Sequence, residues 1–334
     1  MRCPSLATLP PPAPGRTGWP WTEESLRLPE ENPAGQPWPR LTIVTPSFNH
    51  GRFLEETIRS ILLQGYPNLE YFILDGGSTD HTVEIIEKYS SWVDFWVSEP
   101  DRGQSAAINR GLRMGSGALA TWINSDDLLG QNALSCHFPA HEFSPGVIYI
   151  GDCLNIDEAG AVLSRHRGRV ESLIDLVRVR SVWEKGGYLC QQEVLFPLDL
   201  AIRVGGLNEH NHYSMDYELW GELFLAGCQV RYTGIPFGVF RRHPHQKTQE
   251  SSKQIESTLA VAAALIDRAA SFPAETRAAL LADLERYRQE YPDVLWRQSG
   301  RLSQLGLPRS LVAPLRGLRA AVEKTARNLL GPAK

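Results

Sequence analysis

The sequence predicts an α/β fold in which a mixed, mainly parallel sheet is flanked by helices. Short apolar strands alternate with amphipathic helices from about residue 41 to residue 150, a pattern typical of right-handed crossovers between parallel strands. Each of the first four strands also ends in a cluster of polar residues. Open sheets of this class bind their ligands at that edge, so the two observations predict a fold and a site together.

The elements follow one another in a regular order. Leu41 to Thr45 is a short apolar strand, and the helix after it, Arg52 to Gln64, has apolar residues at helical spacing. Gly65 and Pro67 end this helix. The same alternation predicts strands at 71–75, 94–97, 119–124 and 147–150, separated by helices at 83–89, 105–114 and 132–143.

The pattern changes after about residue 151. Short strands and turns are predicted there, with one clear helix from Met215 to Ala226. Beyond Lys253 the chain becomes helical, with Pro273 and Pro292 expected to end the two helices that precede them. We therefore expect a proline- and tryptophan-rich arm (1–39), an α/β domain (40–250) and a helical extension with a basic amphipathic tail (251–334).

Composition excludes several classes of protein. The chain has 334 residues, 42% hydrophobic and 22% charged, as in an ordinary globular protein. A formal net charge of −4 disfavours nucleic acid as a partner. Its five cysteines are scattered and form no Cys-x-x-Cys pair, which favours a reducing compartment and no zinc site. We expect a cytoplasmic protein.

Two adjacent acids, Asp126 and Asp127, follow the apolar strand that begins at Leu119. Carboxylates at the carboxyl end of a strand place hard oxygen ligands in the binding crevice, where they can hold a divalent cation against a diphosphate. A turn or a helix cap explains a lone Ser-Asp-Asp equally simply, and is the more common case. The polar residues at the ends of the other strands favour the cation site over a turn or a helix cap.

Parallel topology would bring four polar segments to one edge of the sheet. These segments are Thr45 to Asn49, Asp75 to Asp80, Glu99 to Gln104 and Asn124 to Asp127. Carboxylates and amides for a nucleoside, with a cation for its phosphates, make a nucleotide site. The sequence has neither the three-glycine turn of dinucleotide folds nor a phosphate-binding P-loop.

Four segments in order resemble the motifs of family 2 glycosyltransferases, which have the GT-A fold. They are Ile43 to Asn49, Leu74 to Asp80, Asn124 to Asp127 and Met215 to Trp220. The resemblance covers roughly Pro39 to Thr248. It implies an inverting transferase that uses Mn²⁺ or Mg²⁺ and a nucleoside-diphosphate sugar, with a UDP-sugar favoured, and a glycan or lipid-linked saccharide as acceptor.

The resemblance also implies roles for residues on the nucleoside side. Asp75 matches the residue that contacts the nucleoside, and Thr45 and Pro46 match the loop that lies against the base. Asn49 belongs to the same first motif. Many members carry a second acid where this chain has Gly76, so the base contact stays open.

Three acids match the reacting centre of the family. Asp127 corresponds to the metal ligand that bridges the diphosphate, Asp126 to its neighbour near the donor sugar or ribose, and Asp216 to the catalytic base. The chemistry needs these groups, because a cation neutralises the leaving diphosphate and a carboxylate accepts the acceptor's proton. Helix capping is the alternative for Asp216, which stands near a helix start.

Three basic residues are candidates for the phosphates. His243 and Lys247 lie in a stretch that resembles the C-terminal element placing a histidine and a basic residue beside the diphosphate. An exposed basic loop is the alternative. Arg102 has the geometry to bind a phosphate through two nitrogens, and a surface turn explains it as well.

Two rival functions and a possible membrane contact complete the analysis. A sugar nucleotidyltransferase would show a glycine-rich loop and a lysine soon after the first strand, and residues 45–52 show neither. Retention of all three acids argues against an inactive binding module. The basic, leucine-containing tail near 309–330 could rest on the inner face of the cell membrane, although packing on the protein is the favoured explanation.

Overall fold

A mixed sheet forms the centre of the protein in a computed structural model that describes residues 3–140, 143–244, 246 and 251–304. Within these residues the strands are β1 (Leu41–Ser47), β2 (Leu69–Asp75), β3 (Phe95–Ser98), β4 (Leu119–Trp122), β5 (Leu128–Leu129), β6 (Val147–Ile156), β7 (Val162–His166), β8 (Val194–Pro197) and β9 (Gln229–Arg241). Their order is β3-β2-β1-β4-β8-β6-β9-β5, with β7 paired to β6. The α/β fold class predicted from the sequence is confirmed.

Helices cover both faces of this sheet. The described helices are α1 (Gly51–Leu62), α2 (Thr82–Tyr89), α3 (Gln104–Met114), α4 (Ala133–Ala140), α5 (Leu173–Val177), α6 (Leu198–Arg203), α7 (Met215–Leu225), α8 (Ser251–Arg268) and α9 (Ala274–Gln304). The first three begin and end within two residues of their predicted limits, because their apolar faces repeat at helical spacing.

Strands β1 to β4 form the parallel half of the sheet, in the order β3-β2-β1-β4. Alternate residues of β1 enter opposite cores, as the two-residue period of a strand requires. Ile43 joins the core that contains α1, and Val44 joins the core that contains α3. Helix α3 lies close to β1, since a Cβ atom added at Gly111 would be 2.6 Å from a methyl of Val44.

Strands β5 to β9 form the second half of the sheet, in which antiparallel pairs predominate. Strand β8 pairs antiparallel with β4 and β6, while β6 and β9 run parallel. The 13-residue strand β9 was not predicted, because Gly234 and Pro236 interrupt its apolar pattern. Register shifts on β6 near Asp152 accommodate the irregularity.

The N-terminal arm is held to helix α1 by a fully buried arginine. Arg59 donates to the carbonyl oxygens of Pro10 (2.8 Å), Pro20 (3.0 Å) and Trp21 (3.0 Å). It also donates to the hydroxyl of Tyr89 at 3.0 Å. A buried guanidinium requires such partners, so the arm shares the hydrogen-bond network of the sheet and its helices.

The C-terminal helices pack against α7. A Cβ atom added at Gly221 would be 2.3 Å from Leu265 of α8, so the two helices approach closely there. Helix α9 continues past Pro292, where the sequence predicted an end; proline removes one backbone donor, which bends a helix without always ending it. None of the helices in the described ranges has both the length and the apolar composition to cross a membrane. The predicted tail at 309–330 and Lys247 lie outside those ranges.

Candidate active site

A pocket of about 640 Å³ opens at the carboxyl ends of β1 and β4 and at the start of α7. Its lining includes Pro46 near the end of β1, the acids Asp126 and Asp127 after β4, and Asp216 in the first turn of α7. The structure thus brings together four residues that the sequence placed in one site. Nucleotides bind at this edge of α/β sheets.

Asp126 presents its carboxylate to the pocket. Its side chain is 15% exposed, and one oxygen lies 3.0 Å from Nε2 of His243, which follows β9. His243 is itself buried, with its ring 5.0 Å from that of Phe53. The sequence placed His243 near the phosphates, and the structure places it directly behind the acid.

Asp127 is buried beneath Asp126. Its carboxylate accepts hydrogen bonds from the side chains of Gln192 and Asn124 and from the backbone N–H of Arg241. Burial, and then the adjacent charge of Asp126, raise the pKa of Asp127 to about 8. Two such acids are hard to ionise together in the absence of a cation. A divalent ion would favour both charges, so the donor set fits Mg²⁺ or Mn²⁺.

The loop that carries the two acids is fixed from α1. The hydroxyl of Thr57 lies 2.8 Å from the carbonyl oxygen of Asp127 and 3.0 Å from that of Ser125. Ser125 also contacts Nδ1 of His50 at 2.8 Å. These contacts set the direction of the backbone that presents both carboxylates.

Arg241 supports the same loop from β9, and sequence reasoning missed it. The side chain is 1% exposed and forms an ion pair with Glu56 at 3.0 Å. Its Nε donates to the carbonyl of Asp126 at 3.1 Å, and its guanidinium lies over the ring of Phe53. Its position in a strand that the sequence did not reveal explains why the contact was not anticipated.

Asp75, predicted to contact the nucleoside, fastens the loop after β2. Its oxygens accept from the backbone N–H groups of Gly77 (3.2 Å) and Ser78 (2.8 Å) and from the hydroxyls of Ser78 (2.6 Å) and Ser98 (2.7 Å). It is 2% exposed, and the described pocket lining does not include it. A direct contact between Asp75 and the nucleoside stays a prediction.

Thr45 and Asn49 also lie behind the pocket wall. Thr45 is buried and accepts a hydrogen bond from the hydroxyl of Tyr71 at 3.0 Å. Asn49 adopts a left-handed backbone, with φ of 53°, and accepts from the N–H of Thr79. Of the first motif, Pro46 is the predicted residue that faces the pocket, so Thr45 and Asn49 shape the wall that it forms.

Phe48 and Asp101 also line the pocket, although the sequence analysis assigned them no role. Phe48 is 59% exposed and lines the pocket beside Pro46. Asp101, in the loop after β3, lines the same region, and its Oδ1 accepts from the N–H of Gly103 at 2.7 Å. The signal for Asp101 was its place in the polar segment Glu99 to Gln104, which the sequence analysis put at this edge of the sheet.

Asp216 lies in the first turn of α7 and is half-buried. One of its oxygens is 2.8 Å from the backbone N–H of Tyr217. His212, Tyr213 and Met215 line the pocket beside it. The amino end of a helix favours the charged form of a carboxylate, so Asp216 is suited to accept a proton in this pocket.

Arg102 is not among the described residues that line the pocket. Its side chain is 81% exposed and pairs with Glu209 at 2.9 Å. The surface-turn alternative describes this position, and a phosphate contact by Arg102 stays a prediction. A phosphate contact by Lys247 also stays a prediction, because this residue lies outside the described residues.

Another group with ligand chemistry lies behind the pocket. Among the described residues, His166, Cys190 and Glu193 bring potential metal-binding atoms within 4.8 Å of one another. Nε2 of His166 lies 2.7 Å from the carbonyl oxygen of Tyr188, a contact that requires a proton on that nitrogen. Burial raises the pKa of Glu193 to about 9, so this acid is neutral in the folded protein.

The sheet topology is that of the GT-A fold. Residues 42–199 match the family model described as glycosyl transferase family 2. This match identifies residues 42–199 as a glycosyltransferase family 2 domain.

The similarity to individual proteins is moderate. The chain is 30% identical to Glycosyltransferase GlyG of Streptococcus pneumoniae serotype 4 over 36% of its own length and 40% of that protein. Among solved structures, S. aureus TarS in complex with UDP-GlcNAc has a TM-score of 0.56 at 14% identity, covering 83% of each chain. The mannosyltransferase PcManGT of Pyrobaculum calidifontis, in complex with GDP-Man and Mn²⁺, has a TM-score of 0.54 at 18% identity, covering 89% of this chain and 87% of that one.

Proposed function

We propose that the protein transfers a sugar from a nucleoside-diphosphate sugar to an acceptor hydroxyl, by a single displacement that inverts the anomeric centre. The observation that carries the proposal is the shared pocket of the acid pair, Asp126 and Asp127, and the helix-start acid Asp216. The pair provides a place for a cation and a diphosphate, and Asp216 provides a proton acceptor. Transfer to a hydroxyl needs both.

The cation, Mn²⁺ or Mg²⁺, lies on the acid pair in this proposal. Asp127 keeps the ligand role that the sequence motif implies, and Asp126 offers a carboxylate that faces the pocket. His243 holds Asp126 in that orientation through the 3.0 Å contact. When bound, the cation neutralises the charge that develops on the leaving diphosphate.

Asp216 accepts the proton of the acceptor hydroxyl. It lies in the first turn of α7, and the side chains of His212 and Tyr213 line the adjacent part of the pocket, where an acceptor sugar would lie. The acceptor we propose is a glycan or a lipid-linked saccharide. Contact of the tail at 309–330 with a membrane is the alternative to its packing on the protein, which the sequence favours.

The donor we propose is a UDP-sugar. Support comes from the TarS complex, which contains UDP-GlcNAc, and PcManGT, with GDP-Man and Mn²⁺, supports a divalent cation in the same fold. The nucleoside would lie against Pro46 and Phe48, where an exposed aromatic ring is available to stack on a base.

A donor panel tests the proposal. Thermal unfolding should shift upward with a UDP-sugar and Mn²⁺ together and less with either alone, because a ligand that binds the native state stabilises it. Slow metal-dependent release of UDP, without acceptor, should identify the sugar. Release of pyrophosphate from a sugar phosphate and a nucleoside triphosphate would instead identify a nucleotidyltransferase. Failure of every nucleotide to bind would overturn the proposal.

A further inference from the structure

We infer that Asp101 selects the nucleobase of the donor by accepting a hydrogen bond from a ring N–H group, at N3 of uracil or N1 of guanine. The inference rests on the proposed function, because it assigns a residue to the nucleoside end of the same pocket. It names a carboxylate that no family motif in the sequence identified.

The motif residues at this end of the pocket leave the base without an acceptor. The two carboxylate oxygens of Asp75 already accept four hydrogen bonds, from Gly77, Ser78 and Ser98. The next position is Gly76, which has no side chain. A carboxylate for the base must therefore come from another part of the chain.

Asp101 places a carboxylate in the room left by Gly76. A Cβ atom added at Gly76 would lie 3.2 Å from Oδ2 of Asp101 and 3.4 Å from Oδ1. Both residues line the pocket, together with Phe48 and Pro100. The loop after β3 thus supplies a carboxylate close to the place where the side chain of an acid at position 76 would lie.

The carboxylate of Asp101 is held in place and still has acceptor capacity. Oδ1 accepts from the N–H of Gly103 at 2.7 Å, while no described residue donates a hydrogen bond to Oδ2. The side chain is exposed to the pocket. The neighbouring Arg102 pairs with Glu209 and does not line the pocket, whereas Asp101 does, so the loop contributes a negative side chain to the pocket lining.

The chemistry of the bases decides which of them fit. Uracil N3 and guanine N1 carry a hydrogen, which a carboxylate accepts in a charge-assisted bond. Cytosine N3 and adenine N1 present a lone pair at the same ring position, and a carboxylate repels it. A site built to pair a donor rejects the analogue that lacks it, so uridine or guanosine diphosphates are expected over cytidine or adenosine diphosphates.

Binding of UDP, CDP and N3-methyl-UDP, by calorimetry with Mn²⁺, tests the inference on the unaltered protein. Loss of the N–H should weaken binding of CDP and N3-methyl-UDP about ten- to a hundredfold relative to UDP. GDP and N1-methyl-GDP form the parallel pair. In Asp101→Ala the penalty for the methyl group should largely disappear, which separates the lost hydrogen bond from simple crowding. Arg113→Ala, at an exposed position of α3, is the control and should keep the wild-type preference.

A rescue variant makes the test specific to geometry. In Asp101→Ala, the second change Gly76→Asp should restore the preference for UDP, because the vacated room accepts a side chain from position 76 and the backbone there is not left-handed. Equal binding of UDP and N3-methyl-UDP to the wild type, or unchanged UDP binding by Asp101→Ala, would overturn the inference and leave the proposed function standing. If the wild type binds no nucleoside diphosphate with Mn²⁺, the proposed function fails and the inference fails with it.

Discussion

The two halves of the sheet contribute to one pocket in different ways. The parallel half, β1 to β4, ends in the segments that carry Pro46, Asp126 and Asp127. The second half, β6 to β9 with the loops and helices joined to it, carries Asp216 and the side chains that hold the acid pair, Gln192 and Arg241. We expect donor binding to depend directly on the first half, and proton transfer and support of the acids to depend on the second.

The largest effect is expected on kcat, from a change at Asp216 that should leave nucleotide binding nearly unaltered. Asp216→Asn should lower kcat by about a hundred- to ten-thousandfold, because the amide cannot accept the acceptor's proton. The affinity for UDP and Mn²⁺ should change less than twofold, since the lost interaction is made in the transition state. Steady-state kinetics and calorimetry measure the two quantities. Asp199→Asn, exposed on α6, is a control that should change neither, and retained turnover in Asp216→Asn would contradict the base assignment.

The acids of the parallel half should affect binding first. Asp127→Ala should abolish the Mn²⁺ dependence of UDP binding, and Asp126→Ala should weaken it severely, because each removes a hard oxygen from the cation. Calorimetric titration with UDP, with and without Mn²⁺, measures the effect, and circular dichroism checks folding. Unchanged affinity for UDP and Mn²⁺ in Asp127→Ala would remove the cation from that residue.

A smaller effect is expected for Gln192, a residue of the second half that supports an acid of the first half by a hydrogen bond. Gln192→Ala removes a donor to Asp127 and should weaken Mn²⁺ binding about ten- to a hundredfold, as loss of an outer hydrogen bond to a metal ligand commonly does. The control is Gln229→Ala, at an exposed position where β9 begins. Identical Mn²⁺ affinity in both variants would show that the second half does not support the acid pair.

The smallest effect concerns stability alone. The pKa of Glu193 is raised to about 9 by burial, so the folded state holds a proton that the unfolded state releases above about pH 4.5. Wild-type stability should therefore fall as pH rises from 5 to 8. Glu193→Gln cannot titrate, and its stability relative to the wild type should rise by about 1 kcal/mol per pH unit.

Urea unfolding of both proteins at pH 5 and pH 8 measures the Glu193 effect. The slope with pH is the readout, because the amide introduces its own contacts at every pH. Parallel curves for the two proteins would show that Glu193 is ionised in the folded state. Turnover should be preserved, which would distinguish this buried acid from Asp216 in the same half of the sheet.

The same comparison shows what the sequence could predict. The parallel half was predicted nearly to the residue, because each strand is a continuous apolar run and each helix repeats its apolar face. Asp126, Asp127 and Asp216 were placed in one pocket from motifs alone. Local patterns carry this information, since the strand end fixes where its last side chains point.

The contacts that hold the acids could not be predicted in the same way. Gln192 and Arg241 approach Asp127 from segments far along the chain, and β9 was hidden by Gly234 and Pro236. The hydrogen bonds that Asp75 accepts in the loop after β2 could not be anticipated either. These contacts depend on residues that are distant in the sequence, and the local spacing of apolar residues does not reveal them.

The buried Arg59 has a practical consequence for anyone who trims this protein. A chain shortened to the family match, beginning at residue 42, would lose the three arm carbonyls that Arg59 donates to and leave this buried guanidinium with the hydroxyl of Tyr89 as its remaining described acceptor. Arg59 lies two residues from Thr57, whose hydroxyl contacts the loop that bears the acid pair. If a shortened enzyme lost metal binding, the cause would then be the lost contacts of Arg59, transmitted through helix α1 to the loop of the acid pair. The residues of the pocket would themselves be unchanged.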